Sequence, residues 1–143
     1  MKKAILGLMA LVVLSTSCKK EDTEESQPVT TEAVMGAYTI TKVELTMSGI
    51  RGDVTNEWYG DNGMGACAKD DITSFLTNGI YDLSEGNVAC DPATETSGTW
   101  SVTNGAMQMD GEAVEVEFFS GRTLRMAMAY NASDKIIYTY TRK

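Results

Sequence analysis

The chain contains no histidine, and that absence removes much of enzyme chemistry at once. No Ser-His-Asp or Cys-His arrangement can be assembled, and no imidazole is present to act as a general base. Cysteine is scarce, three residues in 143, so a zinc site would also lack ligands. Basic residues are few against acidic ones, 12 against 20, for a net charge of −8. That balance argues against nucleic acid and against an anionic membrane surface as partners. It suits solubility, and it would also suit a basic protein partner. No glycine-rich phosphate loop precedes a helical segment, no window keeps a helical period, and no cofactor is implied. The only long apolar run, Ala4 to Leu14, falls well short of the roughly 20 residues a membrane-spanning helix needs.

What is present begins with that run. Lys2 and Lys3 precede it and Ser15-Thr16-Ser17-Cys18 follow it, which is the order of a secretory signal. Residues 1–17 are therefore expected to be a cleaved signal segment. The segment resembles a bacterial lipoprotein signal, with Ser15 where that family has leucine. The resemblance implies acylation of Cys18 and a membrane anchor of at least two acyl chains, enough for stable attachment. Ser15 and Ser17 would also satisfy ordinary signal peptidase, which would leave Cys18 as a free thiol. Without residues 1–17, which carry two of the 12 basic residues, 10 basic and 20 acidic residues remain, net −10. Residues 18–35 have no aromatic side chain and are rich in Glu, Thr and Ser, so they read as a disordered acidic tether. Lys19-Lys20-Glu21-Asp22 resembles the surface-export signal of Bacteroidetes lipoproteins, which implies an outer-membrane location, exposed at the cell surface.

Residues 36–143 form a series of short β-type runs with turn residues every 8–12 positions or so, the pattern of an all-β barrel or sandwich. Strands are expected near 37–47, 52–59, 72–76, 80–84, 96–102, 106–109, 113–118, 123–130 and 136–141. Every connection is too short for a parallel crossover, so neighbours pair antiparallel. Asn104-Gly105 as a two-residue turn places Val102 opposite Met107 and Trp100 opposite Met109. A three-residue loop, Thr77-Asn78-Gly79, places Phe75 opposite Tyr81. A loop at Phe119-Ser120-Gly121 would set Val116 against Leu124, Val114 against Met126 and Glu115 against Arg125. A five-residue loop from Asn131 to Lys135 would set Met128 against Tyr138 and Met126 against Tyr140. Tyr38 and Ile40 share one parity and Val43, Leu45 and Met47 the other, so a bulge near Thr41-Lys42 is needed to return them to one face.

Cys67 and Cys90 flank the Phe75/Tyr81 hairpin, and in an exported chain they are expected to form a disulfide. A metal pair is the alternative, without histidine or further cysteine to complete it. Asp70-Asp71 and Glu85 raise the question of a carboxylate pair for glycoside chemistry; charge at the start of a strand is the plainer reading. Asp61-Asn62-Gly63-Met64-Gly65 has the look of a calcium loop but lacks the acidic spacing and the closing glutamate. Catalysis is not expected.

One inward stripe remains: Tyr38, Phe75, Tyr81, Trp100, Met107, Met109, Met126, Met128, Tyr138 and Tyr140. It either packs the barrel solid, since eight strands leave an interior just wide enough for side chains, or lines an adaptable apolar cavity. Trp58-Tyr59, before the loop at residues 60–65, is the candidate exposed patch for a protein partner.

With the strands placed, residues 36–143 resemble the lipocalin-like domains of Bacteroidetes lipoproteins. The resemblance is carried by Cys67-Ala-Lys-Asp70-Asp71, Phe75, Asn78-Gly79-Ile80-Tyr81, Glu85-Gly86 and Cys90-Asp91, then by Gly98-Thr99-Trp100 with Met107 and Met109. Gly36-Ala37-Tyr38 stands where lipocalins have Gly-x-Trp. The resemblance implies a small antiparallel up-and-down barrel of 8–9 short strands and, by analogy, a small apolar ligand. The alternative function is an acidic protein-interaction module with a packed, ligand-free barrel.

Overall fold

The computed structural model describes residues 24–143. Cys18, the expected signal segment and the first residues of the expected tether lie outside them. The fold is all-β: nine strands in one antiparallel sheet, closed by pairing of the first strand with the last, so that eight strands make a barrel and one is additional. In chain order these are β1 (Gly36–Met47), β2 (Ile50–Asp53), β3 (Ile72–Phe75), β4 (Ile80–Ser84), β5 (Thr96–Thr103), β6 (Ala106–Met109), β7 (Glu112–Phe119), β8 (Thr123–Ala129) and β9 (Lys135–Arg142). Two one-turn helices accompany them, α1 (Thr31–Val34) and α2 (Thr55–Trp58), with a 3₁₀ turn at Ala66–Asp70.

Local chemistry sets the registers. Asn104 and Gly105 both hold positive φ, as a tight hairpin turn requires, and Trp100 faces Met109 while Val102 faces Met107. Phe75 faces Tyr81. The β1 register breaks between Ile40 and Lys42, so that Ile40 faces Tyr140 and Val43 faces Tyr138. That bulge puts Tyr38, Ile40 and Val43 on one inner face.

Two registers differ from expectation by two residues. Met126 faces Tyr138 and Met128 faces Ile136, because the loop closes two residues earlier: Tyr130 N–H donates to Asp134 O. On the other side Val116 faces Met126, Glu115 faces Ala127, Phe118 faces Arg125 and Phe119 faces Leu124. There Ser120 N–H donates to Thr123 O around Gly121 at φ 83°, and the β7 register breaks between Val116 and Phe118. A slip of two keeps each side chain on its own face, so the inner stripe survives both corrections.

The strand expected over 52–59 is also different. β2 ends at Asp53 and the chain turns into α2. β2 pairs with Glu44–Met47 of β1, and β3 with Gly36–Tyr38. Both lie on the edge of β1 opposite β9, as two halves of one strand position. Between them residues 54–71 leave the sheet opposite residues 39–43. The backbone groups of Val43 in that gap are still satisfied, as buried peptide groups must be: its N–H donates to Thr55 Oγ1 at 2.9 Å and its carbonyl accepts from Val54 N–H at 2.9 Å.

The ordered domain also begins upstream of Gly36. Thr30 caps α1 by accepting from Ala33 N–H, and Val34 is completely buried in the core, against which Val29, Ala33 and Met35 also pack. Gln27 N–H donates to Phe119 O. The tether reading therefore does not extend to residue 35, because Val34 contributes to the core.

Candidate functional site

The barrel has two unlike ends. At the end where α1 packs, Tyr38, Phe75 and Trp100 meet edge to face, with ring centroids 5.9 Å and 5.2 Å apart. Trp100 Nε1–H donates to Leu76 O at 3.1 Å, so its polar edge is satisfied in the core. Arg142 lies over the Tyr38 ring at 5.1 Å and donates to the Tyr38 hydroxyl and to Ala33 O. A tyrosine thus closes this end where the resemblance would place tryptophan. Met107, Met126, Leu124 and Phe119 fill the space beside it, each at most 1% exposed.

The opposite end is hollow. A cavity of about 250 Å³ is lined by Ile40, Trp58, Met64, Tyr81, Met109, Met128, Tyr138 and Tyr140, with Thr73, Leu83 and Thr96. A groove of about 450 Å³ shares Tyr81, Met109 and Met128 with it and continues outward past Asp110 and Glu112. Of the lining residues, Met64 is 43% exposed and Thr96 is exposed as well.

The inward stripe therefore divides. Tyr38, Phe75, Trp100, Met107 and Met126 are packing residues, while Tyr81, Met109, Met128 and Tyr138 line the cavity. Tyr140 serves both. Ile40, placed on the inner face by the β1 bulge, also lines the cavity, while Met64, Thr73, Leu83 and Thr96 complete the lining without having been singled out for it in the sequence. Parity would have found Thr73, Leu83 and Thr96, whereas Met64 is brought in by the excursion between β2 and β3.

That excursion also corrects the exposed patch expected at Trp58-Tyr59. Tyr59 is buried at 9% exposure, and Trp58 is half-buried with its ring edge-on to Tyr138 at 5.6 Å. Both rings turn inward because α2 lays them over the gap in the wall. Gly63 allows the tight return: a side chain there would collide with the Trp58 carbonyl. Asp61, Asn62, Gly63 and Met64 are exposed turn residues, and among the described residues no group of three or more His, Cys, Asp or Glu could hold a metal ion.

Cys67 and Cys90 are joined, Cα atoms 5.4 Å apart, tying the excursion to the β4–β5 loop. The carboxylates beside them organise that loop. Asp70 accepts from Asn87 N–H at 2.6 Å, and Glu85 accepts from Cys90 N–H at 2.8 Å and Thr94 N–H at 3.3 Å. Asp71 accepts from the Thr94 hydroxyl at 2.6 Å.

Burial and neighbours act on the phenols. Burial, reinforced by the Asp71 carboxylate, holds Tyr59 up at about 12. Tyr138 is pushed to about 12 by burial and by Tyr59, and Tyr140 is raised further by burial. The hydrogen bond from the Tyr81 hydroxyl to Asp110 Oδ2, 2.6 Å, is the main cause holding Tyr81 at about 12, and it lowers Asp110 in return. At neutral pH all four rings are uncharged phenols.

Neither the protein-family models nor the curated proteins compared with the chain give a match.

Proposed function

We propose that the protein is an envelope-anchored, non-catalytic binder of a small, largely apolar molecule, held in the open end of the barrel. One observation carries this reading. The inner face is packed solid at one end and hollow at the other, and the hollow is lined by rings and thioethers. Methionine is flexible and polarizable, so it adapts to ligands of varied shape. A cavity of about 250 Å³ lies just below the roughly 300–1,000 Å³ of pockets for drug-sized molecules, so the ligand is small or extends into the adjoining groove.

The anchor belongs to the same proposal and rests on the sequence around Cys18. The described chain leaves the barrel at the packed end, where Ser120 donates to Glu24 and Gln27 reaches Phe119. An N-terminal tether would then leave the hollow end facing away from the membrane.

Fluorescence titration with N-phenylnaphthylamine, a neutral apolar dye, tests the binding reading. Saturable binding is expected, and Met128→Trp should abolish it by filling the cavity while circular dichroism stays that of the parent. Thr73→Leu provides a second filling variant. No binding by the parent, or equal binding by both folded variants, overturns the reading. Cys18→Ser should move the protein from the membrane to the soluble fraction; continued membrane association would refute the anchor.

A further inference from the structure

We propose that the cavity selects a small organic cation, an amine or quaternary ammonium on an apolar body, over neutral or anionic molecules of the same shape. This inference rests on the cavity being a ligand site.

The lining contains four aromatic rings, Trp58, Tyr81, Tyr138 and Tyr140, and no charged side chain. An apolar wall alone would not discriminate by charge. Ring faces do, because their quadrupoles present negative potential to a cation, and the attraction is largest where water is excluded. The Tyr81 hydroxyl donates to the Asp110 carboxylate, which makes that ring more electron-rich.

The second observation is independent of the rings. Asp71 is 8% exposed, and while its Oδ2 accepts from Thr94, its Oδ1 is buried with no hydrogen-bond partner. Asp71 stands two residues before Thr73 and Thr94 two before Thr96, both of which line the cavity. Alternation along extended chain puts Asp71 and Thr94 on the same side as those threonines, one step nearer the hollow end. A half-satisfied buried carboxylate is unfavourable, and a cation in the cavity would offset part of that cost. The field of this carboxylate reaches the neighbouring Tyr59 phenol. The outer groove adds Asp110 and Glu112. An anionic ligand would meet these charges with no basic group in the lining to balance them, whereas a cation is drawn in by them.

Displacement of bound N-phenylnaphthylamine by three molecules of matched shape tests the inference. These are benzyltrimethylammonium, its uncharged isostere neopentylbenzene, and phenylmethanesulfonate. The cation should compete at least about ten-fold better than the neutral isostere, and the sulfonate should compete least. Asp71→Asn should cut the cation's advantage several-fold while leaving the dye's own affinity unchanged. Asp110→Asn, at an exposed position, should reduce it by a smaller factor and serves if the Asp71 variant does not fold. Equal competition by cation and neutral isostere, with the dye still bound in the cavity, overturns the cation inference alone. Failure of the dye to bind overturns the cavity reading and this inference with it.

Discussion

Met126 and Met128 sit two residues apart on the inner face of β8, and the same substitution at each tests whether the barrel is half solid and half hollow. Met126 is fully buried among core side chains and faces Val116 and Tyr138. Truncation to alanine removes three heavy atoms. At roughly 0.8 kcal/mol per methylene-sized group, transfer alone accounts for about 2.4 kcal/mol. The void left in a packed region adds to this, giving about 3–4 kcal/mol, within the 2–5 kcal/mol typical of buried Met→Ala changes.

Met128 is only partly buried and already borders a cavity. Its truncation forfeits fewer contacts and enlarges an existing space, so the loss should be about 1 kcal/mol or less. Thermal unfolding followed by circular dichroism separates the two. At roughly 4–8 °C per kcal/mol for a domain of this size, Met126→Ala should lower Tm by on the order of 15–20 °C and Met128→Ala by only a few degrees. Dye affinity should change in the opposite order, with the Met128 variant affected and the Met126 variant near normal well below its Tm. Equal Tm losses at the two positions would refute the division of the interior on which the site depends.

Replacing Cys67 and Cys90 by serine opens a loop with a sequence separation of 23 and should cost about 3 kcal/mol by loop-closure entropy, read from urea midpoints; an unchanged midpoint would contradict that share. Tyr59, Tyr81 and Tyr138 are held at about 12 in the fold, against 10.0 for an unperturbed tyrosine. Their contribution to stability is therefore complete below pH 10 and is lost as pH rises through about 12. Phenolate absorbance should lag behind that of free tyrosine and then rise together with unfolding, and ionisation of all six tyrosines near pH 10 with the fold intact would count against it. Val34→Ala should lower stability by roughly 1–2 kcal/mol in thermal melts, because Val34 lies wholly in the core; no change would return that segment to the tether.

Much of the barrel was legible because alternation and turn chemistry are local. Asn104-Gly105 and Asn78-Gly79 set two hairpins outright, and the parity change between Ile40 and Val43 marked the β1 bulge. The two slipped registers arose where a loop of several polar residues can close at more than one point: Tyr130/Asp134 rather than Tyr130/Ile136, and Ser120/Thr123 rather than Phe118/Arg122. Hydrogen bonds of single backbone groups decide between these, and residue type does not record them. Trp58-Tyr59 misled for a different reason. Two aromatics before a glycine-rich loop look the same whether they cap a protein or face solvent, and only the gap in the β1 edge shows which. Cavity and core were likewise inseparable as one stripe of methionines and aromatics, because the difference lies in what stands across from each.

That opposite side explains why the hollow is where it is. An eight-stranded barrel is only just wide enough to be filled by its own side chains, so space inside it requires small residues on inner positions. β3 carries Thr73 and then Phe75 inward, and β5 carries Thr96, Gly98 and then Trp100. Side-chain volume on both strands is therefore largest at the packed end, in Phe75 and Trp100, and smaller toward the open one. Gly98 is taken up by the Tyr81 ring, which a side chain at that position would strike, leaving Tyr81 as wall and the threonines as the widest part. On this same side the strand position of β2 and β3 is split, and Trp58 and Met64 arrive there on a segment held by Cys67–Cys90. A continuous strand would present alternating side chains fixed by the sheet. The excursion instead presents a tryptophan and a methionine on a short, partly exposed chain tied to β1 through Val54 and Thr55. The packed end secures the fold, so changes to the residues bordering the cavity cost the barrel less.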